Sequence, residues 1–409
     1  MRIALYHNLP SGGAKRAVYE WTQRLCKNHD IDVYTLSTAD HNFCDIRPLV
    51  NEHYVFDFTP HELFKSPNGR LNQIQRWRDL GELITLGQHI AKKIDSNHYD
   101  VVFAHPCINT LIPALLNYVT TPSLYYLHEP FSKYHVEISR PYIQSKGWRE
   151  RLDRVDPLIS LYHRRLGELR DKSIRHTTLL LANSNYTKNQ IKLNYDLEAH
   201  LCYLGANSQI FYPLKDVEKK DYIISVGELT PRKGFNFLIE SLGYLPSAKR
   251  PCLMLVSNMQ NSAERVYIED LAAQHDVSLQ ILSALSTEQL RQAYNSALLC
   301  VYSPVKEPFG LVPLEAMACG IPVIGVAEGG VCETVLDGVT GRLVERDPAK
   351  FAEAMRLLLE DSALRQQYGQ QARQHVLEQW NWEQSVANLE QYLQQVAWSN
   401  PAMLQSNTE

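Results

Sequence analysis

The chain has 409 residues, of which 44% are hydrophobic and 21% charged, and its formal net charge is -4. Those values describe an ordinary globular protein with room for two full cores, and they point away from a low-complexity chain or a nucleic-acid binder. No apolar run approaches the roughly 20 residues of a membrane-spanning helix. The eight cysteines include no C-x-x-C pair, so they read as reduced core residues of a cytoplasmic protein, not as a disulfide or zinc framework. Charge is uneven: bases exceed acids by roughly four up to residue 205, and acids exceed bases by roughly eight beyond it. A basic half facing an anionic surface or acceptor fits this, and so does an uneven solvated surface.

The opening "MRIALYHNLPSGG" reads as a first strand and its turn; its apolar stretch is too short for a signal peptide. A helix "AKRAVYEWTQRLCKN", strands "IDVYTLS" and "HYVFDFT", and a long amphipathic stretch from Leu71 to Ile94 follow. Next come strands "YDVVFAHP" and "SLYYLHE", a basic helical region from Gly147 to Lys172, and strand "TLLLANS". Turn residues and charges in "LGANSQIFYPLKDVEKKD" then interrupt the periodicity. The second half resumes with "DYIISVGEL", "CLMLVS", "LQILS", "LLCVYS", "PVIGVA" and "GRLVE", each separated by a helical segment. Two further helices end the chain, and "SNPAMLQSNTE" reads as a frayed tail. Strands alternating with helices predict parallel sheets covered on both faces, in two domains with a cleft between them.

Three loops at strand ends carry candidate chemistry. In "LPSGGAKR", Gly12 and Gly13 let backbone approach a ligand, and the next helix N-terminus favours a phosphate, although a plain tight turn fits as well. The spacing is neither a dinucleotide fingerprint nor a P-loop. In "VGELTPRKGF", Arg232 and Lys233 sit just before a helix, where their charges and the helix dipole act together on a diphosphate. In "EPFGLVPLEAMACGIPVIG", Glu307 and Glu315 flank a loop-to-helix junction between two buried strands. Glu315 in the first turns of a helix has a structural reason through the dipole. Glu307, in a Pro-flanked loop, has none, and paired carboxylates suit a polyhydroxyl ligand.

This stretch resembles the E-x7-E signature of retaining glycosyltransferase family 4, which adopts the GT-B fold: two Rossmann-like parallel-sheet α/β domains facing a central cleft. The likeness covers "SVGELTPRKGFNFLIESL", "AEGGVCETVLDGVTGRLV" and "DPAKFAEAM" in the second half, and is thinner in the first, at "SGGAKR", "LHEP" and "ANSNYTK". It implies an acceptor-binding domain over 1–207, a nucleotide-sugar-binding domain over 208–380, and a last helix within 381–409 packing back on the first domain. It further implies that Glu307 bonds donor-sugar hydroxyls and Glu315 the ribose. The backbone of Phe309, Gly310 and Leu311 lines sugar and phosphates, and Gly12, Gly13 and Gly227 belong to the donor site. Arg232 and Lys233 neutralise the diphosphate, and His128 stands near the transferring sugar. Many relatives have Arg where this chain has Glu228, so Arg232 is expected to supply that cation and Glu228 to point away.

Two lookalike motifs are set aside. Asp30-Ile31-Asp32 matches a D-x-D metal motif literally but reads as turn and strand-edge acids before strand two. "HEP" at His128 lacks a second histidine and cannot form a zinc-protease helix. No metal, no cofactor and no nucleic acid is expected. The partners implied are a nucleoside diphosphate sugar and an unidentified acceptor; the basic helical region of the first domain reads either as a surface helix packed on the sheet by its apolar stripe or as a peripheral contact with the cytoplasmic membrane face. A UDP-sugar 2-epimerase-like enzyme and a non-catalytic sugar-nucleotide-binding protein stay open as alternatives.

Overall fold

A computed structural model describes residues 1–64, 72–129, 138–142, 156–258 and 261–398. The first half forms strands β1 (Arg2–Asn8), β2 (Asp30–Leu36), β3 (Glu52–Phe56), β4 (Val101–Cys107), β5 (Ser123–Leu127), β6 (Leu179–Ala182) and β7 (His200–Leu201). They build one sheet in the order β3-β2-β1-β4-β5-β6-β7. Strands β8 (Tyr222–Val226), β9 (Cys252–Val256), β10 (Leu279–Leu282), β11 (Cys300–Tyr302), β12 (Val323–Val326) and β13 (Gly341–Val344) build a second, in the order β10-β9-β8-β11-β12-β13. All pairings within both sheets are parallel. These are the two parallel-sheet α/β domains that the strand-helix alternation predicts.

Register turns the near-continuous apolar runs into two buried faces. Ile3 and Leu5 stand beside Ile31 and Val33 on one side and Val101 and Phe103 on the other. These residues share one core with Trp21 of the helix Gly13–Leu25 and with Leu389 and Leu393 of the helix Trp382–Trp398. The alternate set, Ala4, Tyr6, Val102 and Ala104, faces the opposite core with Ile90 and Ile94 of the helix Asn72–Ser96. Burial on both faces is what parallel sheets demand. The helix Trp382–Trp398 therefore leaves the second half of the chain to cover the first sheet, and Trp21 Nε1 donates to its Ser385 Oγ at 3.0 Å. One core cluster runs on through Phe211, Tyr294, Phe309 and Trp380 into the second sheet, reaching Ile224, Met254 and Tyr302.

Four details differ from the sequence reading or fall outside the structure. The helix Asn185–Tyr195 and the two-residue β7 were not anticipated. That helix buries only Thr187 and Ile191, too little for a periodic signal, and its start is set by Ser184, whose Oγ accepts from Thr187 N at 2.9 Å. Asp30 and Asp32 lie within β2, not before it, and Asp32 Oδ2 accepts from Tyr99 Oη at 2.5 Å. All eight cysteines are free, but Cys332 is exposed, in the short helix Val331–Thr334, so it is no core residue. The basic region resolves as a helix Pro157–His176 N-capped by Asp156; residues 147–155, with Trp148, and the tail 399–409 lie outside the described residues.

Candidate active site

Each sheet reverses its strand order once, between β1 and β4 and between β8 and β11. Such reversals leave a crevice at the carboxyl ends of the strands, where open α/β sheets bind ligands. The Gly12–Gly13 loop leaves β1, the Arg232–Lys233 turn leaves β8, and the Glu307 loop leaves β11. Topology thus delivers all three predicted loops to the two crevices. The crevices meet: a Cβ placed on Gly13 would lie 3.5 Å from Leu311 Cδ1.

The cationic turn is held from below. Gly227, just after β8, lies against the Lys233 side chain, 3.3 Å from Cδ to where a Cβ would stand. Pro231 opens the 3-10 turn Pro231–Lys233, a position where its fixed φ fits and its missing N–H costs nothing. Ser303 Oγ, just beyond β11, donates to the carbonyls of Lys233 and Gly234 at 3.0 Å each, and Val305 N donates to Arg232 O at 2.8 Å. So the turn is fastened to the loop that carries Glu307. Lys233 Nζ reaches both Glu307 oxygens, at 2.9 and 3.0 Å. Arg232 ion-pairs with Glu129, which follows β5 of the other sheet.

Glu315 sits in the helix Leu311–Ala318, which starts at Gly310 with φ +95°, a conformation that favours glycine. A Cβ there would also lie 2.9 Å from Tyr302 Oη. Glu315 is 5% exposed, accepts from Tyr294 Oη at 3.2 Å, and ion-pairs with Arg16 of the first domain. Burial raises its pKa, and the Arg16 charge works against that rise. Phe309 is buried against Trp380 and Tyr203, which anchors the ring and leaves its backbone at the loop. Gly12, with φ +145°, stands at the N-terminus of the helix Gly13–Leu25 with open space where a Cβ would be.

A model of the glycosyltransferase family 4 matches residues 11–207, and a model of the group 1 glycosyl transferases matches residues 185–375. The chain belongs to these glycosyltransferases. An alpha-maltose-1-phosphate synthase of Mycobacterium tuberculosis is 33% identical over 39% of this chain, and the match spans 44% of that relative's length. Among solved structures, sucrose-phosphate synthase from Thermosynechococcus elongatus superposes with a TM-score of 0.72 at 22% identity, covering 98% of this chain and 100% of that one. HepE from Anabaena, solved in complex with UDP-glucose, gives 0.72 at 18% identity, covering 97% and 100%.

In this glycosyltransferase His128 directly follows β5, at the carboxyl end of that strand. It is 8% exposed, its Nε2 is 3.1 Å from His105 Nδ1, and burial depresses its pKa to about 3. Its imidazole is therefore neutral at ordinary pH. Glu228 is half-buried, and its carbonyl accepts from Thr230 N at 2.8 Å. Among the described residues no group of three or more His, Cys, Asp or Glu is placed to hold a metal ion, and no helix is long and apolar enough to cross a membrane.

Several residues around the site escaped the sequence reading. Arg16 and Glu129 reach Glu315 and Arg232 from the opposite domain. Glu333 accepts from Asn185 N and Tyr186 N at 2.9 and 3.0 Å, and from Tyr203 Oη at 2.8 Å, so it caps the helix Asn185–Tyr195 across the domain boundary. Ser184 Oγ donates to Pro308 O at 2.6 Å, tying the same helix start to the Glu307 loop. Gly329, with φ +75°, leaves no room for a Cβ, which would lie 2.3 Å from Glu307 O, and Gly330 N donates to that carbonyl at 2.8 Å. The "GG" of "AEGGVCE" was the available signal. What it packs against was not.

Proposed function

We propose that the protein is a retaining glycosyltransferase that moves a hexose from a UDP- or GDP-linked sugar to a sugar, lipid-linked or small-molecule acceptor without a metal ion. The observation that carries this reading is the pairing of Lys233 with Glu307 beside Arg232, at the crevice facing the Gly12–Gly13 helix start. Arg232, Lys233 and the amides at Gly12 and Gly13 meet the charge that grows on the departing diphosphate. Glu307 accepts from donor-sugar hydroxyls, Glu315 from the ribose while shared with Arg16, and the Phe309–Leu311 backbone lines the sugar. The bond from the anomeric carbon to the diphosphate oxygen breaks as the acceptor oxygen bonds on the same face. The acceptor proton passes to the leaving phosphate. We assign His128, whose imidazole is neutral at ordinary pH, to the surroundings of the transferring sugar.

The structurally similar HepE binds UDP-glucose, which makes that donor the first to test. On the helix Pro157–His176, Leu158 and Leu161 are 53% and 51% exposed next to Arg164, which supports peripheral contact with an anionic lipid surface. Co-sedimentation with anionic and neutral vesicles at low salt tests that contact, and equal negligible binding to both removes it. The activity itself is tested by release of free nucleotide from UDP-glucose and GDP-mannose, with and without acceptor mixtures. Acceptor-dependent release is expected. Isomerised or hydrolysed sugar without acceptor points to an epimerase, and binding without turnover to a sugar-nucleotide-binding protein.

A further inference from the structure

Arg140 belongs to the first half of the chain, yet it is 5% exposed and buried on the second domain. Its Nε is 3.1 and 3.3 Å from the two oxygens of Glu264, and its Nη2 is 3.1 Å from one of them. Nη2 also donates to Asn236 Oδ1 at 2.9 Å and to Pro231 O at 3.4 Å. The guanidinium stands 4.9 Å from the ring centre of Tyr267, and Tyr142 Oη bonds the same Glu264, which is fully buried. One side chain thus joins the helix Ser262–Gln274, the helix Phe235–Gly243 and the turn Pro231–Lys233.

A buried ion pair of this kind adds little net stability, because desolvation offsets the attraction. What it supplies is geometry. Arg presents a rigid planar fork of donors, so three elements that meet it are held in one arrangement. We propose that Arg140 is a positioning residue for the cationic turn: by docking on Glu264 and Asn236 it sets Pro231, and through it the placement of Arg232 and Lys233. This rests on the reading of that turn as the diphosphate site.

The test measures UDP and GDP affinity of the full chain by calorimetry, with Arg140→Lys, Arg140→Met and Asn236→Ala. Arg140→Lys keeps the charge without the fork, and Asn236→Ala loosens the turn without stranding a buried charge, so both keep a folded protein to measure. Each is expected to weaken nucleotide binding about tenfold, the scale of one charge-assisted hydrogen bond. In an Arg232→Ala, Lys233→Ala background the same substitutions should change affinity less than threefold, since Arg140 acts through those cations. A purely structural role would lower the thermal midpoint while sparing affinity, and that result overturns the proposal. Wild-type affinity in Arg140→Lys and Asn236→Ala likewise overturns the positioning role and leaves the donor site standing. Failure of the wild-type chain to bind either nucleotide overturns both.

Discussion

Lys233 Nζ donates to both carboxylate oxygens of Glu307, at 2.9 and 3.0 Å, joining the turn after β8 to the loop after β11 at the point where strand order reverses. The pair is half-buried, with side-chain exposures of 22% and 23%. Under the proposed function, a diphosphate entering the crevice would compete with Glu307 for the ammonium and free that carboxylate to accept from sugar hydroxyls.

Replacing Arg232 or Lys233 by Ala is expected to weaken binding of a nucleoside diphosphate by roughly 1.5–3 kcal/mol each, the worth of a charge-assisted contact. Glu307→Ala should leave that affinity intact or raise it, since Lys233 loses its internal competitor, while turnover falls. Calorimetry on the three variants with UDP and GDP separates the roles. Equal losses in all three would refute the assignment.

Activity is expected to survive exhaustive EDTA treatment, because the proposed mechanism meets the diphosphate charge with Arg232, Lys233 and backbone amides. Loss of activity that magnesium or manganese restores would show that a cation shares that task.

Arg16→Met strands the carboxylate of Glu315, which is 7% exposed in its side chain. Arg16 is itself 34% exposed, so the cost should fall at the low end of a broken buried pair, about 3 kcal/mol. Burial raises the pKa of Glu315, so the native state holds a proton more readily than the unfolded chain, and lowering the pH relieves the penalty. Urea unfolding of Arg16→Met at pH 7.5 and pH 5.5 should show a smaller deficit at the lower pH. In Glu315→Gln the pH-dependent part of the deficit disappears.

His7, His105 and His128 are buried, and burial pushes all three pKa values below the usual imidazole range, His128 to about 3. The unfolded chain protonates these rings near pH 6.5 and the native chain does not, so the unfolded state binds more protons and stability falls as pH drops below about 6.5. Each ring contributes up to about 1.4 kcal/mol per pH unit. Denaturant midpoints at pH 7, 6 and 5 are expected to fall steeply, and less so in His105→Phe. A flat profile would show that these rings take up protons in the native state.

Lys15 is 1% exposed, its Nζ lies 3.1 Å from His7 Nε2, and burial lowers its pKa to about 8. Between that value and the unfolded value near 10.4 the unfolded chain binds more protons, so this group makes stability rise with pH across that window. Lys15→Met is expected to stabilise the fold at pH 7 by about 1–2 kcal/mol, since a well-packed apolar side chain replaces a buried charge. Thermal melts at pH 7 and pH 9.5 check it, with the larger gain at pH 7.

Local pattern was enough for the sheets. Runs such as "CLMLVS" are apolar at nearly every position, as a strand buried on both faces requires. Gly-rich and Pro-flanked stretches at the ends of those runs marked the loops that bear Gly12, Arg232, Lys233 and Glu307, because backbone chemistry at a strand-to-helix turn is written in neighbouring residues. The polar helix Asn185–Tyr195 left no such mark, since it buries too few side chains for a period to appear.

Charge partners behaved differently. Arg16 with Glu315 spans 299 positions, Arg232 with Glu129 spans 103, and Arg140 with Glu264 spans 124. No local rule pairs them, because an ion pair depends on where two strand ends and two domains come to rest. The sequence alone determined which segments become strands, which loops stand at their carboxyl ends, and which side chains in those loops can hold charge or hydroxyls. The tertiary structure decided which carboxylate each cation faces and that His128 turns toward His105. It also set the contacts across the cleft, because burial and electrostatic partnership are properties of the packed whole and not of any stretch of chain.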